Sequence, residues 1–256
     1  MRATLRSLIR RLLGVERTPI YYLPWLSRPG LDCALILSNV EARFMEGHRE
    51  GSFPLELVQH AASGAVVTRY AVTLPDSVTS VELPLQSGEG GCGFVTVDAA
   101  LVHSDLYVTL SAGDAYAATH GRSEFVERYP LWTRLLVDAL GHLLALGGRT
   151  LPAFTRHQYV YSGPEHRSHV LLMNLSNVTN RIRVRVTRDS RPAGAHLRVL
   201  PPMGSQVLDV RTLDGTSGHV PAVLRLCLQG NAWFNLYLVG AGPGDLAGPL
   251  SLMHVK

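Results

Sequence analysis

Arg181-Ile182-Arg183-Val184-Arg185-Val186 alternates strictly between a cation and an aliphatic side chain. Successive side chains of a strand point to opposite faces, so this run predicts a strand with its arginines in water and Ile182, Val184 and Val186 in a core. An arginine ladder of this kind also has the chemistry to hold anions or phosphate, although polar-out alternation accounts for it without a ligand.

Outward from that run, residues 158–161, 170–175, 197–200, 206–210, 223–228, 233–239 and 250–255 carry the same short apolar pattern and read as further strands. The first half repeats the programme in ALILSN (34–39), PLELVQHA (54–61), VVTRYAVTL (66–74), SVELPL (80–85), FVTVDAALV (94–102) and DLYVTL (105–110). Turn clusters lie between them at 46–51 and 87–91, and glycines 88–93 read as a hairpin. Many short strands at regular spacing, with Gly and Pro between them, signal antiparallel sandwiches. The polar stretch 114–130 shows no clear period and leads into the midpoint of the chain.

There the period changes. In LWTRLLVDALGHLLALGG (131–148), Leu135, Leu136, Leu140, Leu143, Leu144 and Ala145 recur at helical spacing, Arg134, Asp138 and His142 stand four apart, and Gly147 and Gly148 end the run. It is shorter than the ~20 apolar residues of a membrane span. Its leucine face is expected to be buried between units or subunits. A second helix is expected over 2–13, with Leu5, Leu8, Ile9, Leu12 and Leu13 on one side and Arg2, Arg6, Arg10 and Arg11 on the other. That pattern suits docking on protein or resting on an anionic membrane. The aromatic run Tyr21-Tyr22-Leu23-Pro24-Trp25-Leu26 has the composition of an edge strand or of interface anchors.

The two halves match locally. Residues 37–43 (LSNVEAR) align with 175–181 (LSNVTNR), 106–108 with 236–238, and 8–19 with 143–152, in the same order along the chain. The expectation is all-β, with two tandem antiparallel β-sandwich units related by internal duplication, each preceded by a short helix. Its boundaries are 1–14 (basic helix), 15–130 (first unit), 131–148 (connecting helix) and 149–256 (second unit).

Composition excludes some classes. With 46% hydrophobic and 17% charged residues the chain is not disordered. A net charge of +4, without basic motifs interleaved by aromatics, gives no indication of nucleic acid binding. Cys33, Cys92 and Cys227 form no metal spacing or disulfide framework, and the first apolar run is broken by arginines, so a cytoplasmic chain is expected, with residues 2–13 able to make it peripheral on a membrane.

For chemistry, His120 and Glu124, close to Asp114, are the best local pair for a ligand or metal, and His157, His166 and His169 form a second group around Tyr159, Tyr161 and Glu165. Whether any metal binds is open. Neither G-x-S-x-G nor a phosphate loop is present, and the glycines at 240–244 precede no helix, so no cofactor is expected.

Ser168-His169, Asn174, the D-x-x-P-x-G run Asp189-Ser190-Arg191-Pro192-Ala193-Gly194, Pro201 and Leu213 resemble the sensory rhodopsin transducer family. The resemblance spans residues 168–213, and the first half lacks the D-x-x-P-x-G run. It implies a small β-sandwich that binds partners and forms oligomers.

The functional expectation is a non-enzymatic interaction or adaptor protein that self-associates or docks on a protein or an anionic membrane, using Tyr21, Tyr22, Trp25, Arg6, Arg10 and Arg11. The alternatives are a small-ligand or carbohydrate-binding module at His120, Glu124, His157, His166 and His169, and, behind it, a metal-dependent enzyme.

Overall fold

The computed structural model describes residues 12–38, 52–74, 80–102, 106–213, 221–242 and 251–254. The helix expected over 2–13 falls outside them apart from Leu12 and Leu13, as do Arg6, Arg10, Arg11 and the turn cluster at 46–51.

The first half runs β1 (Glu16–Leu26), β2 (Asp32–Leu37), β3 (Phe53–Ala61), β4 (Val66–Leu74), β5 (Val81–Pro84), β6 (Cys92–Asp98), β7 (Tyr107–Ala112), β8 (Ala115–His120) and β9 (Arg122–Arg128). After the helix α1 (Leu131–Leu146) come β10 (Phe154–Ser162), β11 (Arg167–Asn174), β12 (Asn180–Arg188), β13 (Arg191–Leu200), β14 (Ser205–Asp209), β15 (Ala222–Gly230), β16 (Phe234–Ala241) and β17 (Ser251–His254). The protein is all-β but for α1 and short 3-10 turns among the described residues.

Four antiparallel sheets result. The first half forms β4-β3-β6-β1-β9 and β5-β2-β7-β8; the second forms β13-β12-β15-β10 and β14-β11-β16-β17. Adding nine to each label of the first pair, β9 aside, reproduces the second pair. The alternation at 181–186 holds: Ile182, Val184 and Val186 are buried, and of the arginines between them Arg185 is exposed while Arg181 and Arg183 are half-buried.

The halves do not have separate interiors. One core contains Val170, Leu172, Leu236 and Leu238 with the aliphatics of β12 and β15. The neighbouring positions Leu171, Met173, Tyr237 and Val239 turn the other way, into the core of the first half beside Tyr22, Leu23 and Phe94. Strands β11 and β16 are therefore buried on both faces, which explains their nearly unbroken apolar runs.

Three local expectations are corrected. The stretch 114–130 holds β8 and β9, whose small and charged residues hide the alternation. Glycines 88–93 make no hairpin; they lead by a 3-10 turn from β5 in one sheet to β6 in another, with Gly90 and Gly91 at φ 76° and 58°. And β1 is an inner strand, lying between β6 and β9. It tolerates two prolines because Pro19 faces a neighbour only in β9 and Pro24 only in β6, each beyond the reach of the other strand.

Candidate functional site

The face of α1 that touches the protein is its small and polar one. Thr133, Val137 and Gly141 are buried, one turn apart. Thr133 Oγ1 donates to the Leu13 carbonyl at 2.7 Å, Asp138 accepts from the Thr179 amide at 3.1 Å, and Val137 packs with Tyr129, Val178 and Ala232. At Gly141 a Cβ would stand 3.1 Å from the Arg181 guanidinium, so the helix sits close.

The expectation that the leucine face is buried between the units is thereby overturned. Trp132, Leu135, Leu136, Leu140, Leu143 and Leu146 each leave between 41% and 81% of their surface in water. Periodicity identified the apolar side; the hydrogen bonds at Thr133 and Asp138 decided which side docks.

A second concentration of chemistry lies between the halves. Glu124 on β9 stands 4.0 Å from both Arg122 and Arg156 and accepts from Asn235 Nδ2 at 3.4 Å. Tyr22 and Tyr237 complete the group, their rings edge to face at 6.0 Å. Burial pushes both phenols above their ordinary range, and burial lowers the pKa of Arg156 while Glu124 opposes that shift. Nearby, Arg17 binds the fully buried Glu127 through Nε and Nη2 at 3.2 and 2.9 Å, and Tyr129 donates to its other oxygen at 2.9 Å. The guanidiniums of Arg17 and Arg156 both lie over the Trp233 ring, at 5.3 and 5.2 Å from its centroid. Arg122 and Glu124 come from β9 and Arg156 and Asn235 from β10 and β16, so the group ties the first half of the chain to the second.

The other expected ligand residues scatter. His120 bonds through Nδ1 to the Gly121 carbonyl at 2.8 Å, and its own carbonyl accepts from Tyr237. His157 is exposed on β10, the His166 ring lies tilted at 51° to that of Tyr161 with centroids 5.8 Å apart, and His169 is buried on β11, in the other sheet. Among the described residues no group of three or more His, Cys, Asp or Glu is placed to hold a metal. Tyr21, Tyr22 and Trp25, expected as surface anchors, are 4%, 0% and 1% exposed. They fill the first core, where Trp25 Nε1 donates to the His60 carbonyl at 2.9 Å. Their aromatic content marked them as anchors, but it is the interior position of β1 that uses it.

The residues carrying the family resemblance do structural work. Asp189 and Ser190 form the two-residue turn between β12 and β13, with φ of 47° and 63°. Gly194 leaves room for the Leu213 carbonyl, which a Cβ would meet at 2.4 Å, and Asn174 Nδ2 donates to the carbonyls of Val178 and Pro201 at 2.8 and 2.7 Å.

No family model matches this chain. No curated protein matches it either. Among solved structures, a glycosyl hydrolase family 2 member from Bacteroides cellulosilyticus DSM 14838 is similar over 93% of this chain and 28% of that one, at 9% identity and a TM-score of 0.18. A likeness at that score bears on neither fold nor activity. Among the described residues no helix is long and apolar enough to cross a membrane.

One cleft lies beside Trp25, away from the Glu124 and Glu127 groups. It measures about 400 Å³, and Ser27, Asp32, Glu82, Gln86, Thr109 and Ser111 are among its polar walls. Cys33 also lines it, and burial pushes that thiol up to about 12.

Proposed function

We propose that this chain is a non-enzymatic interaction protein in which two β-sandwich units, related by internal duplication, present α1 as a docking surface. The observation that carries this reading is the row of tryptophan and leucine side chains that α1 holds in water. Six such side chains amount to on the order of 700 Å² of apolar surface, above the 300–600 Å² of the largest patch on an ordinary monomer. The matching strand order of the halves supports the duplication, and the resemblance at 168–213 supports a sandwich adaptor. In this reading the Glu124 and Glu127 groups keep the two units rigid behind the helix.

The test is a benzophenone side chain at Ala139, in the middle of the exposed face, with Glu56 on the exposed part of β3 as the control position. Irradiation in cells should give a discrete adduct at 139 and none at 56. Equal, diffuse labelling at both positions would overturn the reading.

The polar cleft favours a second reading, a small uncharged ligand such as a sugar. Glu82→Ala and Thr109→Val should then abolish any saturable binding seen in a carbohydrate array.

A further inference from the structure

The exposed face of α1 has an internal order. Trp132, Leu136, Ala139, Leu143 and Leu146 follow one another at spacings of four, three, four and three residues, which is the seam of a heptad pattern, and Leu135 and Leu140 flank it. The seam positions carry no charge; Arg134 and Asp138 lie toward the docked side of the helix, and the exposed His142 borders the seam beside Leu135. Its smallest side chain, Ala139, stands at the middle of the helix, and its bulkiest, Trp132, stands near one end.

We propose that this seam packs antiparallel against the same seam of a second copy of the chain, crossing at Ala139. The inference rests on the docking-surface reading of α1. A two-fold pairing through the midpoint sets Ala139 against its own counterpart, where the small side chain lets the two backbones approach. It sets Trp132 opposite the partner's Leu146, and Leu136 beside the partner's Leu143, so bulk meets bulk only at the two ends. The two-fold axis buries the same surface on both copies and closes the assembly at two. The exposed apolar surface of each helix, on the order of 700 Å², is close to the ~800 Å² that each partner contributes to a standard interface. The antiparallel arrangement also sets the two helix dipoles in opposition. A membrane fits less well: the polar side of α1 carries one arginine against one aspartate, and so supplies no net cationic attraction for anionic lipid.

The test is sedimentation equilibrium of the full chain across a wide concentration range, with Leu136→Glu/Leu143→Glu as the variant. Both substituted positions face water in the single chain, so far-UV circular dichroism should stay as in the parent, and the melting temperatures of variant and parent should converge as the parent is diluted to monomer. The parent should dimerise, and the variant should dissociate roughly 100-fold more readily or worse. Register is read by oxidation. Ala139→Cys should form a disulfide-linked dimer, and a mixture of Trp132→Cys and Leu146→Cys chains should form a mixed dimer. Trp132→Cys alone should not, because its two copies sit at opposite ends of the pair, far beyond the ~7 Å limit between Cα atoms. The parent protein, with its three native cysteines, is the control for background linkage.

A parent monomeric at all concentrations overturns the inference, as does a dimer that the double variant leaves intact. If such a monomer gives a position-139 adduct with a different polypeptide, or binds anionic vesicles through the same leucines, the docking reading stands and the pairing falls. If no adduct forms at all, both fall.

Discussion

Asn177 and Tyr129, 48 residues apart, clasp each other through the backbone of one: the Asn177 Oδ1 accepts from the Tyr129 amide at 2.8 Å, and its Nδ2 donates to the Tyr129 carbonyl at 3.0 Å. The side chain thereby stands in for a neighbouring strand. Beside it, the Glu127 amide donates to the Leu175 carbonyl and the Asn177 amide to the Glu127 carbonyl, so the end of β9 is knitted into the second half. This corner sits directly under α1, whose first turn begins at Leu131.

Replacing Asn177 with Ala removes both bonds and leaves two Tyr129 backbone groups to find water. We expect a loss of about 1–3 kcal/mol. Asn177→Asp keeps the acceptor and drops the donor, so it should fall between parent and alanine variant. Urea denaturation measures this as a shift in midpoint at constant slope. A midpoint unchanged by Asn177→Ala would mean that the clasp contributes nothing to holding the halves together.

The Arg17–Glu127 pair is the strongest candidate for an electrostatic bolt, since Glu127 is fully buried and Arg17 only partly so. Arg17→Met should cost about 3 kcal/mol, because it takes the guanidinium held at 2.9 Å away from a fully buried carboxylate. The double variant Arg17→Met/Glu127→Gln should recover part of that loss, as the uncompensated charge is gone. A double-mutant cycle reads the coupling directly. Additive effects of the two single changes would show that the two side chains are not coupled to each other.

How far the sequence revealed this arrangement depends on what each stretch had to encode. The run at 181–186 was legible because a period of two has one structural meaning when cations alternate with Ile and Val. β11 and β16 were found as strands, but their burial on both faces, and with it the shared core of the two halves, shows only once tertiary packing is known. The helix was legible in extent and misleading in orientation: hydrophobic periodicity shows which side is apolar, whereas Asp138, Thr133 and Gly141 determine which side is near the protein. Glu124 stood out by its chemistry next to His120, yet two of its partners, Arg156 and Asn235, lie in the other half of the chain, so its role as part of an interface had no local signal. The histidines at 157, 166 and 169 are near in sequence but fall on β10, on the turn after it and on β11, in two different sheets, so proximity along the chain suggested a site that the fold does not assemble.

At the turn between β12 and β13, Asp189 and Ser190 both take positive φ, a region that costs a residue with a Cβ about 1–2 kcal/mol. Turns with positive φ at both central positions favour Asn-Gly or Asp-Gly. Ser190→Gly should therefore stabilise the protein by up to about 1 kcal/mol and raise the melting temperature by a few degrees. Ser190→Val, which is β-branched, should lower it. Melting curves in which Gly and Val rank in the opposite order would exclude this turn geometry.

The pH dependence should be dominated, at one position, by His60. It is 8% exposed, stacks on Phe94 at 5.2 Å, and has Thr96 Oγ1 3.3 Å from its Nε2. Burial lowers its pKa most; a backbone hydrogen bond at Gly64 opposes this and the cation Arg69 adds to it. The folded protein therefore resists protonating this ring, while the unfolded chain takes up the proton near the ordinary value of about 6.5. Between the folded and unfolded values the unfolded state binds more protons, so stability rises with pH there and is lost as pH falls from about 6.5 toward the folded value, below which the loss levels off. Eleven histidines contribute to the total, so the effect is isolated as a difference. Urea unfolding of the parent and of His60→Gln at pH 7.5, 6.5 and 5.5 should show the parent's advantage shrinking toward acid. A difference that stays flat across those three values would show that His60 is protonated as easily in the fold as out of it, and that its burial beside Phe94 is not what shapes the acid limb of the stability curve.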